Sequence, residues 1–140
     1  MPIGKLSELA SSFPAIEVEY VDMFGSQYRV DGRYGVGNTI DCIGVILEVY
    51  KRAGLLLPDP KIMAGQVAAF ADLFDKVTEP DQLYDLINLR RDSNHLLVVV
   101  RQGVAVSATV GKNVYTSRVN ILKRVPGAEF FRVRSSCLPV

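Results

Sequence analysis

The hydrophobic period of this chain changes near Pro80, and the change dictates the fold class. Before it, apolar residues recur at spacings of three and four: Ile43, Ile46, Leu47, Tyr50 and Ala53, then Met63, Val67, Phe70, Phe74 and Val77. After it the period is two and β-branched residues take over, in Leu83 to Arg90, His95 to Arg101, Val104 to Val110, a piece from Val114 to Leu122, and Glu129 to Arg134. The first spacing lines one face of a helix and the second one face of a strand. Helices followed by consecutive strands predict an α+β fold, with N-terminal helices packed on an antiparallel β-sheet.

Punctuation sharpens these elements. Gly54 stands where a helix C-terminus favours glycine, and Pro58 follows it. The Glu79-Pro80 step closes the second helix, because the residue before proline avoids helical angles. Leu96 to Val100 is continuously apolar, as a central strand covered on both faces should be. A hairpin through Arg101-Gln102-Gly103 joins it to the next strand, with Gly103 left-handed. With Val100 opposite Val104, Leu97 falls opposite Ser107 and His95 opposite Thr109.

Composition sets outer limits. The 140 residues, 49% hydrophobic and 22% charged, fit a single globular domain over 1–140 and exclude a disordered chain, a collagen or a coiled-coil rod. No apolar run approaches the ~20 residues of a membrane span, so no membrane partner is expected. Residues 1 to 20 lack the basic start and apolar middle of a secretory leader. One His and two Cys, Cys42 and Cys137, without metal-ligand spacing, predict no metal site and free thiols. The net charge of +1 hides an asymmetry: residues 1–100 hold 9 Lys+Arg against 14 Asp+Glu, and residues 101–140 hold 7 against 1. Arg118, Lys123, Arg124, Arg132 and Arg134 thus suit either an anionic partner or a solvated face balancing the acidic part. Aromatic residues are not interleaved with these charges, which argues against nucleic acid.

Chemistry concentrates around the sole histidine and the mid-chain cysteine. Cys42 lies in the first turn of the first helix, after Gly32, Gly35 and Gly37, where unpaired N–H groups favour a thiolate. Asp41 suits the N-cap, and Gly44 leaves room beside the sulfur. His95 begins the central strand, and the hydroxyl of Ser107 (diagonal) or Thr109 (direct) is in register to hold its ring. Each piece has a plainer alternative: a packed cysteine, a structural histidine, glycines that only make a turn.

The run from Tyr28 to Pro58, YRVDGRYGVGNTIDCIGVILEVYKRAGLLLP, resembles the nucleophile region of the NlpC family of papain-like cell-wall cysteine peptidases. A Tyr and glycine turn precede D-C-x-G, and Gly54-Leu55-Leu56-Leu57-Pro58 is similar to the family's G-x-x-L-P exit. His95 to Val100 occupies the place of the family's H-V-G-I-Y strand, and Val106-Ser107-Ala108-Thr109 that of its V-H-A-S-like piece. The resemblance implies a papain-like fold that hydrolyses peptidoglycan stem-peptide bonds without a cofactor. It makes Cys42 the nucleophile, His95 the base and then the acid, and Ser107 the orienting group, with Tyr28 and Asp41 at substrate-binding positions. Ile43 after the cysteine is similar to the phage-tail branch, which implies a virion tail-tip component synthesised in the bacterial cytoplasm, with other tail proteins as partners. Ser107 in place of the customary His, Asn or Gln, and Leu97 in place of glycine, leave a second expectation: a structural tail protein that keeps the fold without catalysis.

Overall fold

A computed structural model describes residues 17–29, 31–57, 73–89 and 95–134. A 3-10 turn, Val21–Gly25, leads into a short parallel pair, β1 (Gln27–Tyr28) and β2 (Thr39–Ile40), which clamps the glycine loop between its strands. The helix α1 (Cys42–Ala53) follows at once. Then come β3 (Phe74–Val77), β4 (Leu86–Asn88), β5 (Leu96–Arg101), β6 (Val104–Thr109), β7 (Asn113–Arg118), the single-turn helix α2 (Val119–Leu122) and β8 (Glu129–Val133). The six longer-range strands form one antiparallel sheet in the order β3-β8-β4-β5-β6-β7. The architecture is α+β.

α1 forms where the sequence asks for it. Asp41 caps its start by accepting from the Gly44 N–H at 2.8 Å, and Gly54 ends it in the left-handed region at φ 100°. Its face of Val45, Ile46, Val49, Tyr50 and Ala53 is buried against Leu86, Val98, Val100, Val106 and Ala108 of the sheet. The Tyr50 hydroxyl donates to the Tyr84 carbonyl, tying α1 to the turn before β4, where Tyr84 itself has φ 70°. On the other face of the sheet, Ile87, Leu89, Leu97, Val99 and Ala105 bury against Val119 and Leu122 of α2. β5 is covered on both sides, which is why its sequence is apolar without alternation.

Several expectations change. The second helix falls largely on residues 63–72, outside the described residues, but its last members, Phe74 and Val77, belong to strand β3. There the ladder with β8 decides: Phe74 pairs with Val133 and Val77 with Phe130, so tertiary hydrogen bonding overrides a helical spacing that was only locally compatible. The strand expected over Leu83 to Arg90 is limited to Leu86–Asn88, since Leu83 and Tyr84 make a turn. The piece from Val114 to Leu122 is a strand only to Arg118; Val119 and Leu122, three apart, then share a buried face as one helical turn. In the hairpin, Val98 pairs with Val106 as expected, but a bulge follows Val99 and Arg101, not Val100, stands opposite Val104.

The basic end is largely matched within the chain. Arg132 bridges Asp85 at 2.7 Å and Asp81 at 2.8 Å, Arg134 meets Asp75, and Lys123 meets Glu79. The acidic and basic parts of the sequence meet where β8 and its approach lie beside β3 and β4. The charge asymmetry is thus used in folding, in favour of the balancing reading.

Candidate active site

The glycine loop and α1 set the position of the cysteine. Asp41 is the organising residue: Oδ1 accepts from Gly44 N–H and from Arg33 Nη1 at 2.9 Å, while Oδ2 accepts from Asp31 N–H at 2.8 Å. Asp31 and Asn38 take positive φ, as do Gly35 and Gly37, so the loop is folded tightly enough for one carboxylate to hold both its ends. With both oxygens engaged inside the chain, Asp41 serves as scaffold. Gly44 corrects an expectation. A Cβ there would lie 2.6 Å from the Gly32 carbonyl oxygen and 2.9 Å from Ile40 Cγ1, so its missing side chain admits the loop, not a ligand.

Cys42, the first residue of α1, is partly exposed and carries a free thiol. The start of β5 lies near enough for the Leu96 backbone N–H to favour its thiolate, and Tyr28 lies close enough to feel its charge. Tyr28 sits in β1, its own N–H donating to Asn113 Oδ1 at 2.9 Å, which joins β1 to the start of β7. The fold thus brings Tyr28, Cys42 and the start of β5, which His95 precedes, to one end of the sheet. Burial pushes the Cys42 thiol up, and the nearby Asp41 carboxylate adds to the push. The N–H groups of Leu96, Ile43 and Cys42 favour the thiolate but do not win, so the expectation of a thiolate from helix position alone is corrected. Burial, with Cys42 and Asp41, likewise raises the Tyr28 phenol.

His95 precedes β5, its N–H donating to the side-chain oxygen of Asn88 at 3.2 Å. Its Nε2 lies 2.7 Å from the Tyr115 hydroxyl, and the two rings are within 9° of parallel. Ser107 is fully buried and donates its hydroxyl to the Leu96 carbonyl at 2.6 Å, fixing the backbone next to His95. Thr109 ends β6 opposite Asn113. Tyr115 escaped the sequence reading: it lies one strand beyond the hairpin, and its only signal was an aromatic at the period of two, opposite Ser107 in the ladder. Among the described residues no group of three His, Cys, Asp or Glu is arranged to hold a metal ion, and no helix is long and apolar enough to cross a membrane.

A cysteine opening a helix that packs on an antiparallel sheet, with a histidine just before a central strand of that sheet, agrees with the papain-like α+β fold. No protein-family model matches the sequence, and comparison with curated proteins finds no match. Among solved structures, the fold is similar to that of a Staphylococcus aureus protein described as similar to a lipoprotein of the NLP/P60 family, with a TM-score of 0.53 and 18% identity. The likeness covers 89% of this chain and 41% of that one, so this chain spans less than half the length of that protein. The fold is the NlpC/P60 fold.

Proposed function

We propose that this chain is a cysteine peptidase or amidase that cleaves peptidoglycan stem-peptide bonds by acyl transfer, as a component of a bacteriophage or prophage tail tip. The observation that supports the reading is that Cys42 opens α1 near the start of β5, within reach of the Leu96 N–H and so close to the strand that His95 precedes. His95 takes the thiol proton as the sulfur attacks the carbonyl carbon; the amine leaves with that proton, and water then hydrolyses the thioester with His95 again as base. The Cys42 N–H and the Tyr28 hydroxyl are the donors for the oxyanion. The NLP/P60 likeness supports the cell-wall theme, and the tail-tip role rests on the resemblance around Cys42. Other tail proteins are the partners in this reading.

A second reading, a tail protein that keeps the fold without turnover, is favoured by one observation: burial raises the Cys42 thiol where a nucleophile profits from a lowered one. Digestion of purified peptidoglycan by wild type, Cys42→Ala and His95→Ala, with mass spectrometry of the released muropeptides, decides between them. Cleavage by the wild type that both substitutions abolish supports the enzyme. Folded wild type that releases nothing supports the structural role.

A further inference from the structure

A histidine that serves a thiol must carry its proton on the nitrogen away from the sulfur, and something must hold that proton in place. We propose that Tyr115 is the positioning residue for His95, its hydroxyl accepting from Nε2–H so that Nδ1 is kept as the basic nitrogen; this rests on the Cys42–His95 reading above.

The geometry favours Tyr115 over the serine that the chain order suggests. The 2.7 Å contact between Nε2 and the Tyr115 oxygen is a full hydrogen bond and the two rings lie within 9° of parallel; with the hydroxyl as acceptor, the proton is held on Nε2. Ser107 faces Tyr115 across the β6–β7 ladder but spends its hydrogen on the Leu96 carbonyl at 2.6 Å. A short side chain on β6 thus steadies the backbone of the histidine strand, and a long one on β7 reaches the ring itself. The phenol oxygen accepts well enough to stabilise an imidazolium, though less than a carboxylate does.

Asn88 comes from β4 and binds the His95 backbone, and Lys112, in the turn before β7, lies over the Tyr115 ring with its Nζ 5.2 Å from the centroid. The ammonium polarises the phenol without competing for its oxygen.

Because His95 is the sole histidine, ring-nitrogen NMR on protein labelled with 15N-histidine reads one imidazole without assignment. Wild type is expected to show the Nε2–H tautomer at neutral pH. Tyr115→Phe, which keeps the ring, should give mixed tautomers and a lower histidine pKa. In a Cys137→Ala background it should also slow alkylation of Cys42 at pH 7 about tenfold, the worth of one charge-assisted hydrogen bond. An Nδ1–H tautomer in wild type, or spectra and alkylation rates unchanged by Tyr115→Phe, would overturn the proposal. These readouts need no turnover, so a protein inert toward peptidoglycan can still pass or fail them.

Discussion

Replacing Asp41 should move stability and thiol chemistry in opposite senses, and both magnitudes follow from its contacts. Asp41→Ala removes the helix cap at Gly44, worth about 1 kcal/mol, and the bond from Asp31 N–H, worth about the same. It also breaks an ion pair with Arg33 whose side chains are only 13% and 12% exposed. That pair lies between the surface case, at most ~1 kcal/mol, and the fully buried one, at 3 to 5 kcal/mol. A loss of about 3 kcal/mol is expected for Asp41→Ala, or roughly 2 M in the urea midpoint at a slope near 1.5 kcal/mol/M. Asp41→Asn keeps an oxygen for the Gly44 cap but turns an amide N–H toward Asp31 N–H, so about half that loss is expected. Removing the carboxylate also removes one of the groups that push the Cys42 thiol up. Asp41→Asn, though less stable, should therefore alkylate faster at pH 7 in a Cys137→Ala background. A urea midpoint for Asp41→Ala within about 0.3 M of wild type, or slower alkylation of Asp41→Asn with the fold intact, would refute this account of the loop.

Three further outcomes are expected. Because burial holds the Cys42 thiol protonated in the fold, the native state retains a proton that the unfolded chain releases near pH ~8.5; stability should fall with rising pH above that point, and urea titrations at pH 7 and 9.5 should show a smaller fall for Cys42→Ala. Gly44→Ala should gain up to ~1 kcal/mol of helix propensity yet lose about 1 to 3 kcal/mol to the clash with Gly32, so thermal melting should show a net destabilisation. Arg132→Leu strands the buried Asp85 carboxylate and should cost about 3 kcal/mol in urea unfolding, whereas adding Asp85→Asn should recover part of that loss.

Sequence alone determined whatever depends on near neighbours in the chain. The α1 boundaries follow from Asp41 and Gly54, the centrality of β5 from its unbroken apolar run, and the Val98–Val106 register from the hairpin, because caps, periodicity and tight turns act over a few residues. Cys42 and His95 were legible as residue types at the ends of such elements. Tertiary structure decided what depends on residues far apart. Phe74 to Val77 became a strand because β8, more than fifty residues later, offers its edge. Gly44 turned out to serve the Gly32 loop, and the basic end found its carboxylates on distant elements. The state of the thiol and the partner of His95 belong to this second group: desolvation is a property of the packed neighbourhood, and the Tyr115 hydroxyl on β7 reaches the imidazole across β6, a meeting that only the sheet brings about.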